Sequence, residues 1–381
     1  MIIIPRVKST FKKPLLLLVI LILGLVFASC RSGLGAIPRG WSGSIIDNGT
    51  LFIGSMDGSL AAVNTVDGSL LWSVPLETKK SGGGFGCAPT ATTVAIYGTP
   101  IVAGDMVYVG GYNGKIYAFN RVEFRQDPRW VYPRQDEVSF PVVGGTVVDN
   151  GKLYFGSTDG KVYALDAADG FKEWEFETGD KVWSTPVTDG DTLYIGSFDK
   201  KFYALDTSGG SKKWEFETEG AIVSTALVYD NTVYFGSFDR YLYALNTADG
   251  SLRWKFMADN WFWTRPAIHN GVIYASNQDG KVYALNADSG EKRTEYDLGS
   301  PASSPPVLVD NVVIVATEAG VVYTLDTAGN QQRALVNLEE KIQAPIAASQ
   351  GKVYIHTDAD ALYEIDVESG AKREFDIKQK E

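Results

Sequence analysis

Gly196, in the run Leu193-Tyr194-Ile195-Gly196-Ser197-Phe198-Asp199, is one of eight equivalent positions, and that periodicity limits the possible folds more than any other feature. The same slot is filled at Gly54, Gly110, Gly156, Gly236, Ser276, Ala316 and His356, with gaps of 56, 46 and then 40 five times running. The wording around it recurs as GSMDGSLAAVN, GGYNGKIYAFN, GSTDGKVYALD, GSFDKKFYALD, GSFDRYLYALN, SNQDGKVYALN, ATEAGVVYTLD and HTDADALYEID. A fixed period in this range marks stacked supersecondary units, none of which buries its own apolar faces alone.

The unit at 182–221 shows which kind of unit it is. Four short apolar runs, VWSTPV, TLYIGS, KFYALD and KKWEFET, are separated by DGD, FDK and TSGG. Turn residues at this spacing, with abundant Val, Tyr, Phe and Trp, predict four antiparallel strands per unit, and no 3.6-residue stripe suggests helices. Eight such units of about 40 residues arranged around an axis make an all-β, eight-bladed β-propeller over residues 40–381, which leaves only short, protected sheet edges.

The N-terminus is a separate object. Arg6, Lys8, Lys12 and Lys13 precede PLLLLVILILGLVF, and Ala28-Ser29-Cys30 follows, the pattern of an export signal over residues 1–29. The Ala-Ser-Cys ending resembles a bacterial lipobox, although Phe27 stands where that pattern has Leu. The resemblance implies a lipid on Cys30, a short tether over residues 30–39, and an exported lipoprotein held at a membrane of the cell envelope. Ordinary cleavage after Ala28, or retention as an uncleaved anchor, are the other outcomes these residues allow.

Cys30 and Cys87 are the two cysteines, so with Cys30 lipidated no disulfide framework or cysteine metal site is available. The formal net charge of −11 becomes more negative once the basic leader is removed. Such a surface repels phosphate backbones and argues against nucleic acid as a partner.

Two insertions interrupt the period. Residues 78–96 carry Gly82, Gly83, Gly84 and Gly86 without a strand pattern, and read as a surface loop; no Lys-Ser/Thr at P-loop spacing follows to make a phosphate cradle. Residues 121–140 lengthen the end of the second repeat, with an outer strand expected around Trp130, Val131 and Tyr132.

The run Ala164-Leu165-Asp166-Ala167-Ala168-Asp169-Gly170-Phe171-Lys172-Glu173-Trp174 resembles the tryptophan-docking motif of the pyrroloquinoline-quinone (PQQ)-like propeller repeats. The same spacing ends at Trp214, Trp254 and Trp72. The resemblance implies that Trp72, Trp174, Trp214 and Trp254 are structural, each sealing one blade against the next. Thr294, Ala334 and Glu374 stand in that slot in the last three repeats, so those blades are expected to seal less well. Asp57, Asp159, Asp199, Asp239 and Asp279 fall in the turn between second and third strands, where Asx side chains bond the turn backbone; so dispersed a ring does not suit a metal.

Enzymes of the wider repeat family are quinoprotein dehydrogenases that hold PQQ and calcium on the axis. Adjacent cysteines, found over the quinone in many of them, are missing here, and their calcium ligands match no stretch of this chain. His269 and His356 form no triad with sequence support. A non-enzyme without PQQ or metal is expected.

What remains is the ring of positions thirteen before each anchor: Trp41, Tyr97, Val143, Trp183, Val223, Trp263, Ser303 and Gln343. Two residues on, Arg265 is the one charge in its column. With Phe262 beside them, Trp41, Tyr97, Trp183, Trp263 and Arg265 are expected to form a partner-binding patch at one mouth of the central funnel, of the composition favoured at protein contacts. Packing between blades is the competing role for these aromatics. A lipid-anchor signal, a short tether and eight such repeats together resemble the BamB-type family of outer-membrane assembly lipoproteins. That implies a scaffold contacting envelope proteins, including a β-barrel assembly complex. A quinoprotein dehydrogenase or small-ligand binder at the funnel, and a cell-surface sensor domain, are the alternatives.

Overall fold

Each turn in the repeat follows from its residues. Between the first and second strands stand pairs such as Asn48-Gly49 and Asn150-Gly151, with φ of 47° and 76°, and of 49° and 77°. Two successive positive φ values make the type I′ hairpin turn, whose twist matches that of paired strands and which Asn-Gly tolerates best. The turn between the second and third strands is held by its aspartate. Asp199 Oδ1 accepts from the Lys201 amide at 2.9 Å, and Oδ2 accepts from Tyr203 Oη at 2.6 Å. Asp159, Asp239 and Asp279 repeat the pattern with Tyr163, Tyr243 and Tyr283. Burial and the neighbouring carboxylate push these four phenols well above their usual range.

The computed structural model describes residues 40–77, 94–122, 127–134, 139–328 and 330–378. The leader, Cys30, the 30–39 tether, and residues 78–93 with Cys87 lie outside them. The described residues form eight four-stranded antiparallel sheets, each in simple sequence order. The fourth is typical: Val187–Asp189, Thr192–Gly196, Lys201–Asp206 and Lys212–Glu217. First strands of neighbouring sheets touch one another around the ring and therefore sit innermost. The chain is thus an eight-bladed propeller, as its period predicts. Residues 94–96 depart from the expected loop: Val94, Ala95 and Ile96 are core, with Ile96 filling the space above Gly54. The outer strand of the second insertion is present as Trp130–Tyr132.

The core lies in the seams between blades. The second strands are apolar on both faces, as in Thr192–Gly196, because a neighbouring blade covers each face. The indole of Trp174 lies against Gly210 of the next blade, and its Nε1 donates to Thr207 O at 3.1 Å. Trp214 does the same to Gly250 and Thr247 O, and Trp254 to Gly290 and Ala287 O. Gly210 has φ of 72°, and a Cβ there would stand 2.6 Å from the indole, so both backbone and packing require glycine. A tyrosine from the second strand of the docking blade donates to the same carbonyl, as Tyr234 Oη does to Ala287 O at 3.1 Å. Trp72 is equally buried, beside Val107 and Phe119 of the second blade. Trp130, which the motif spacing conceals behind the insertion, docks on Gly170 and donates to Ala167 O.

The last three seams are sealed by other residues than tryptophan. Tyr296 is buried and donates to Asp326 O at 3.2 Å; Leu335 lies on Gly370; Phe375 closes on Gly68 of the first blade. The expected weak seams are filled because a side chain one or two places further along the outer strand reaches the same space. Among the described residues the ring closes between the eighth and first blades without exchanging a strand. His356 Nδ1 faces Ser42 O at 3.1 Å and Nε2 faces Asp360 Oδ1 at 3.0 Å, while Asp360 also accepts from the Met56 amide at 2.9 Å. Arg373 donates to Thr65 O and Val66 O across the same seam.

Candidate functional site

The segment entering each innermost strand alternates its side chains. In the fourth repeat Val182 and Ser184 are buried: Val182 packs on Gly156, and Ser184 Oγ accepts from the Gly196 amide at 3.0 Å and donates to Gly196 O at 2.9 Å. Trp183 and Thr185 point the other way, into the axis. Repeated around the ring, this alternation lines an axial cavity of about 280 Å³. All eight positions of the expected ring line it: Trp41, Tyr97, Val143, Trp183, Val223, Trp263, Ser303 and Gln343. Thr99, Gly145, Thr185, Thr225, Arg265, Pro305 and Pro345 form the level beside them.

Phe262 does not belong with this patch. It is 1% exposed and packs among Leu227, Tyr234, Ile273 and Tyr283, over Gly236. Between Trp261 and Trp263, strict alternation turns it to the core. Its column elsewhere holds Ile96, Val142, Val182, Ile222, Ala302 and Ile342, all buried. The glycine anchors exist to admit this column.

The structure adds a second ring at the same mouth, two residues after each anchor: Met56, Tyr112, Thr158, Phe198, Phe238, Gln278, Glu318 and Asp358. The amide of each from Tyr112 onward bonds the carbonyl of a residue two before the cavity ring, as Phe198 N does to Lys181 O, so the two rings are fixed to one another. On blades four to six they merge into a continuous aromatic chain. Trp183 meets Phe198 edge-on with centroids 4.7 Å apart, Phe198 lies 6.2 Å from Phe238, and Phe238 stacks on Trp261 at 4.7 Å and on Trp263 at 5.5 Å. Lys181 Nζ sits 4.3 Å over the Phe198 ring, and Trp261 is 45% exposed. A smaller group joins Trp41, Tyr97 and Tyr112, with burial raising the Tyr97 phenol and Tyr112 adding to the shift.

The other side of the mouth is polar. Gln278 Nε2 donates to Ser303 Oγ, which donates to Glu318; Glu318 pairs with Lys341 at 3.1 Å. With its amide oriented to satisfy both atoms, Gln343 bridges Lys341 and Asp358. Burial raises the Asp358 carboxyl, against the pull of Lys341. The third letter of the recurring GSxD wording runs M, Y, T, F, F, Q, E, D around the ring, and this column is the signal from which the second ring was legible.

Arg265 is the only charged residue lining the cavity among those described. It is crowded and wet at once: surrounding walls strip solvation and lower its pKa, while the open funnel leaves it accessible. Neither histidine lines the cavity. His269 lies in the first strand of the sixth blade, Ala267–His269, beside Asn270, and His356 lies in the closing seam. No cluster of three or more His, Cys, Asp or Glu with metal-binding geometry occurs among the described residues.

Comparison with known proteins places this geometry. The profile of the family described as "Outer membrane protein assembly factor BamB" matches residues 31–181 and 174–373. Two curated proteins of that description are similar over part of the chain. One, from Nitrosomonas eutropha, is 25% identical over 135 residues, 35% of this chain and 27% of its own. The other, from Kangiella koreensis, is 27% identical over 139 residues, 36% of this chain and 32% of its own. The matches therefore span less than a third of the length of those relatives. The crystal structure of BamB from Moraxella catarrhalis superposes with a TM-score of 0.69 at 20% identity, covering 85% of this chain and 92% of that one. The computationally designed Ika8 protein superposes equally well at 12% identity, covering 88% and 96%, so the likeness of shape reports the fold alone.

Proposed function

The chain belongs to the family described as outer membrane protein assembly factor BamB, and from that premise we propose that it is a non-enzymatic, lipid-anchored scaffold of the cell envelope. Its mouth holds a partner protein, and its role is in the assembly of outer-membrane β-barrels. The signal at residues 1–29 exports it, Cys30 carries the lipid, and residues 30–39 tether the propeller to the membrane.

One observation carries the partner-binding role: the continuous aromatic chain Trp183, Phe198, Phe238, Trp261 and Trp263, flanked by Lys181 and Arg265. Trp, Tyr and Arg anchors inside a polar rim are the composition from which most protein-binding energy comes. The rim here is supplied by Gln278, Glu318, Lys341 and Asp358. The one charged group of the described cavity lining is a guanidinium, a binding group rather than a general base.

The test is affinity capture of the full-length, membrane-extracted protein from its native host, with bound proteins identified and an absorption spectrum taken on the same sample. Barrel-assembly subunits in a colourless sample, lost with Trp261→Ala/Trp263→Ala, are the expected result. A quinone absorbance with no stoichiometric partner would overturn it and make the chain an enzyme.

A further inference from the structure

The axial cavity contains a charged donor with no protein partner among the described residues. Arg265 has neither ion pair nor hydrogen bond among the described residues, in a chain whose acidic residues outnumber its basic ones by 46 to 35. Elsewhere cations find carboxylates readily: Lys161, Lys201 and Lys281 each pair with a glutamate of the neighbouring strand. Trp183 Nε1 is buried without an acceptor, whereas the indoles of Trp130, Trp174, Trp214 and Trp254 all donate to carbonyl oxygens. That N–H is closed to solvent and out of a cavity ligand's reach, which leaves Arg265 as the one charged donor that the described lining offers.

We propose that the axial cavity is a receptor for a carboxylate carried on an apolar or aromatic body, with Arg265 as the donor to its anionic end. A single guanidinium matches a monoanion, and its planar fork suits a carboxylate in two-point contact. The walls supply the rest: Trp41, Tyr97 and Trp263 line it, and the cavity of about 280 Å³ has room for a side chain of aromatic size. Most positions in the Arg265 column are Gly, Thr or Pro, which leaves the guanidinium unscreened by neighbouring side chains of its own length. This site shares Trp263 and Arg265 with the mouth proposed for protein capture, and the two readings fail separately: capture without an acid preference sinks only the cavity site, and an acid preference without a captured protein sinks only the scaffold.

The carboxylate belongs either to a free small acid or to the end of a peptide chain, and one experiment separates the sources. The detergent-extracted full-length protein is titrated, following tryptophan fluorescence and heat of binding, with N-acetyl-phenylalanine, with its amide, and with a hexapeptide ending in phenylalanine as free acid and as amide. Each acid is expected to bind at least about tenfold tighter than its amide, the usual scale for a charge-assisted contact. That preference disappears in Arg265→Gln. Hexapeptide acid binding well above N-acetyl-phenylalanine assigns the site to chain ends; equal binding assigns it to free acids. Equal affinity of acid and amide for the wild-type protein overturns the proposal without any variant having to fold. So does no binding by either up to about 10 mM, the weak end of specific affinity, or an acid preference that survives in Arg265→Gln.

Discussion

At position 262 a phenyl ring fills the space above Gly236, while at 263, one bond further along, an indole faces the axial cavity. Their substitutions are expected to differ accordingly. Phe262→Ala, like Trp214→Ala, removes a fully packed aromatic and should destabilise by about 3–5 kcal/mol. Trp263→Ala and Trp183→Ala trim half-buried rings from a cavity wall and should cost about 1 kcal/mol or less. Urea unfolding of the four variants checks this; a Trp183→Ala loss equal to that of Trp214→Ala would return the patch to the core. The cavity ring was legible in the sequence because a fixed distance from a fixed anchor selects one face of one segment. Phe262 was misread because three consecutive aromatics look like a patch, whereas a period of two splits them between opposite faces. The column containing Ile96, Val182 and Ile222 carried the correction.

A blade is held to its neighbour by an outer-strand side chain lodged on the glycine of the next turn, and at the eighth seam by a cluster of charges as well. Asp360 is the centre of that cluster. Burial alone would raise its pKa, but hydrogen bonds from His356 and the Met56 amide hold it below the ordinary value of 3.8. A depressed folded value means that its stabilisation is complete above the unfolded value and is lost as pH falls through the folded one. Asp360→Asn should therefore cost about 2 kcal/mol at neutral pH, the scale of hydrogen bonds to a charged group. The gap from wild type should narrow progressively below pH ~4; urea midpoints measured from pH 7 down to about 2.5 test the claim, and a pH-independent gap contradicts it. Strand number, the aspartate turns and the docking of Trp72, Trp174, Trp214 and Trp254 were legible, since each rests on local spacing, whereas Trp130 was hidden by the insertion before it. The sealing of blades six to eight was not. Tyr296, Leu335 and Phe375 reach their seams from one or two places along the strand, an offset that only the neighbouring blade reveals.

The whole molecule repeats its backbone eight times and its mouth chemistry not at all. Aromatic residues gather on blades one, two and four to six, while Glu318, Lys341 and Asp358 occupy blades seven and eight, so a partner bound at this mouth would have one preferred rotation on the ring. Because every sheet of the described residues is one continuous stretch of chain, no strand among them stitches the eighth blade to the first. Under mechanical load this ring behaves as a coil with one parting line. A chain stretched between its ends in an optical trap should yield first where Asp360 and Arg373 bridge to Met56, Thr65 and Val66. Extension should then grow in multiples of about 140 Å, the contour length of one 40-residue blade. Arg373→Ala should lower only the first rupture force, whereas a single all-or-none release would contradict it. A ring of this build gives way under tension blade by blade, starting from the parting line.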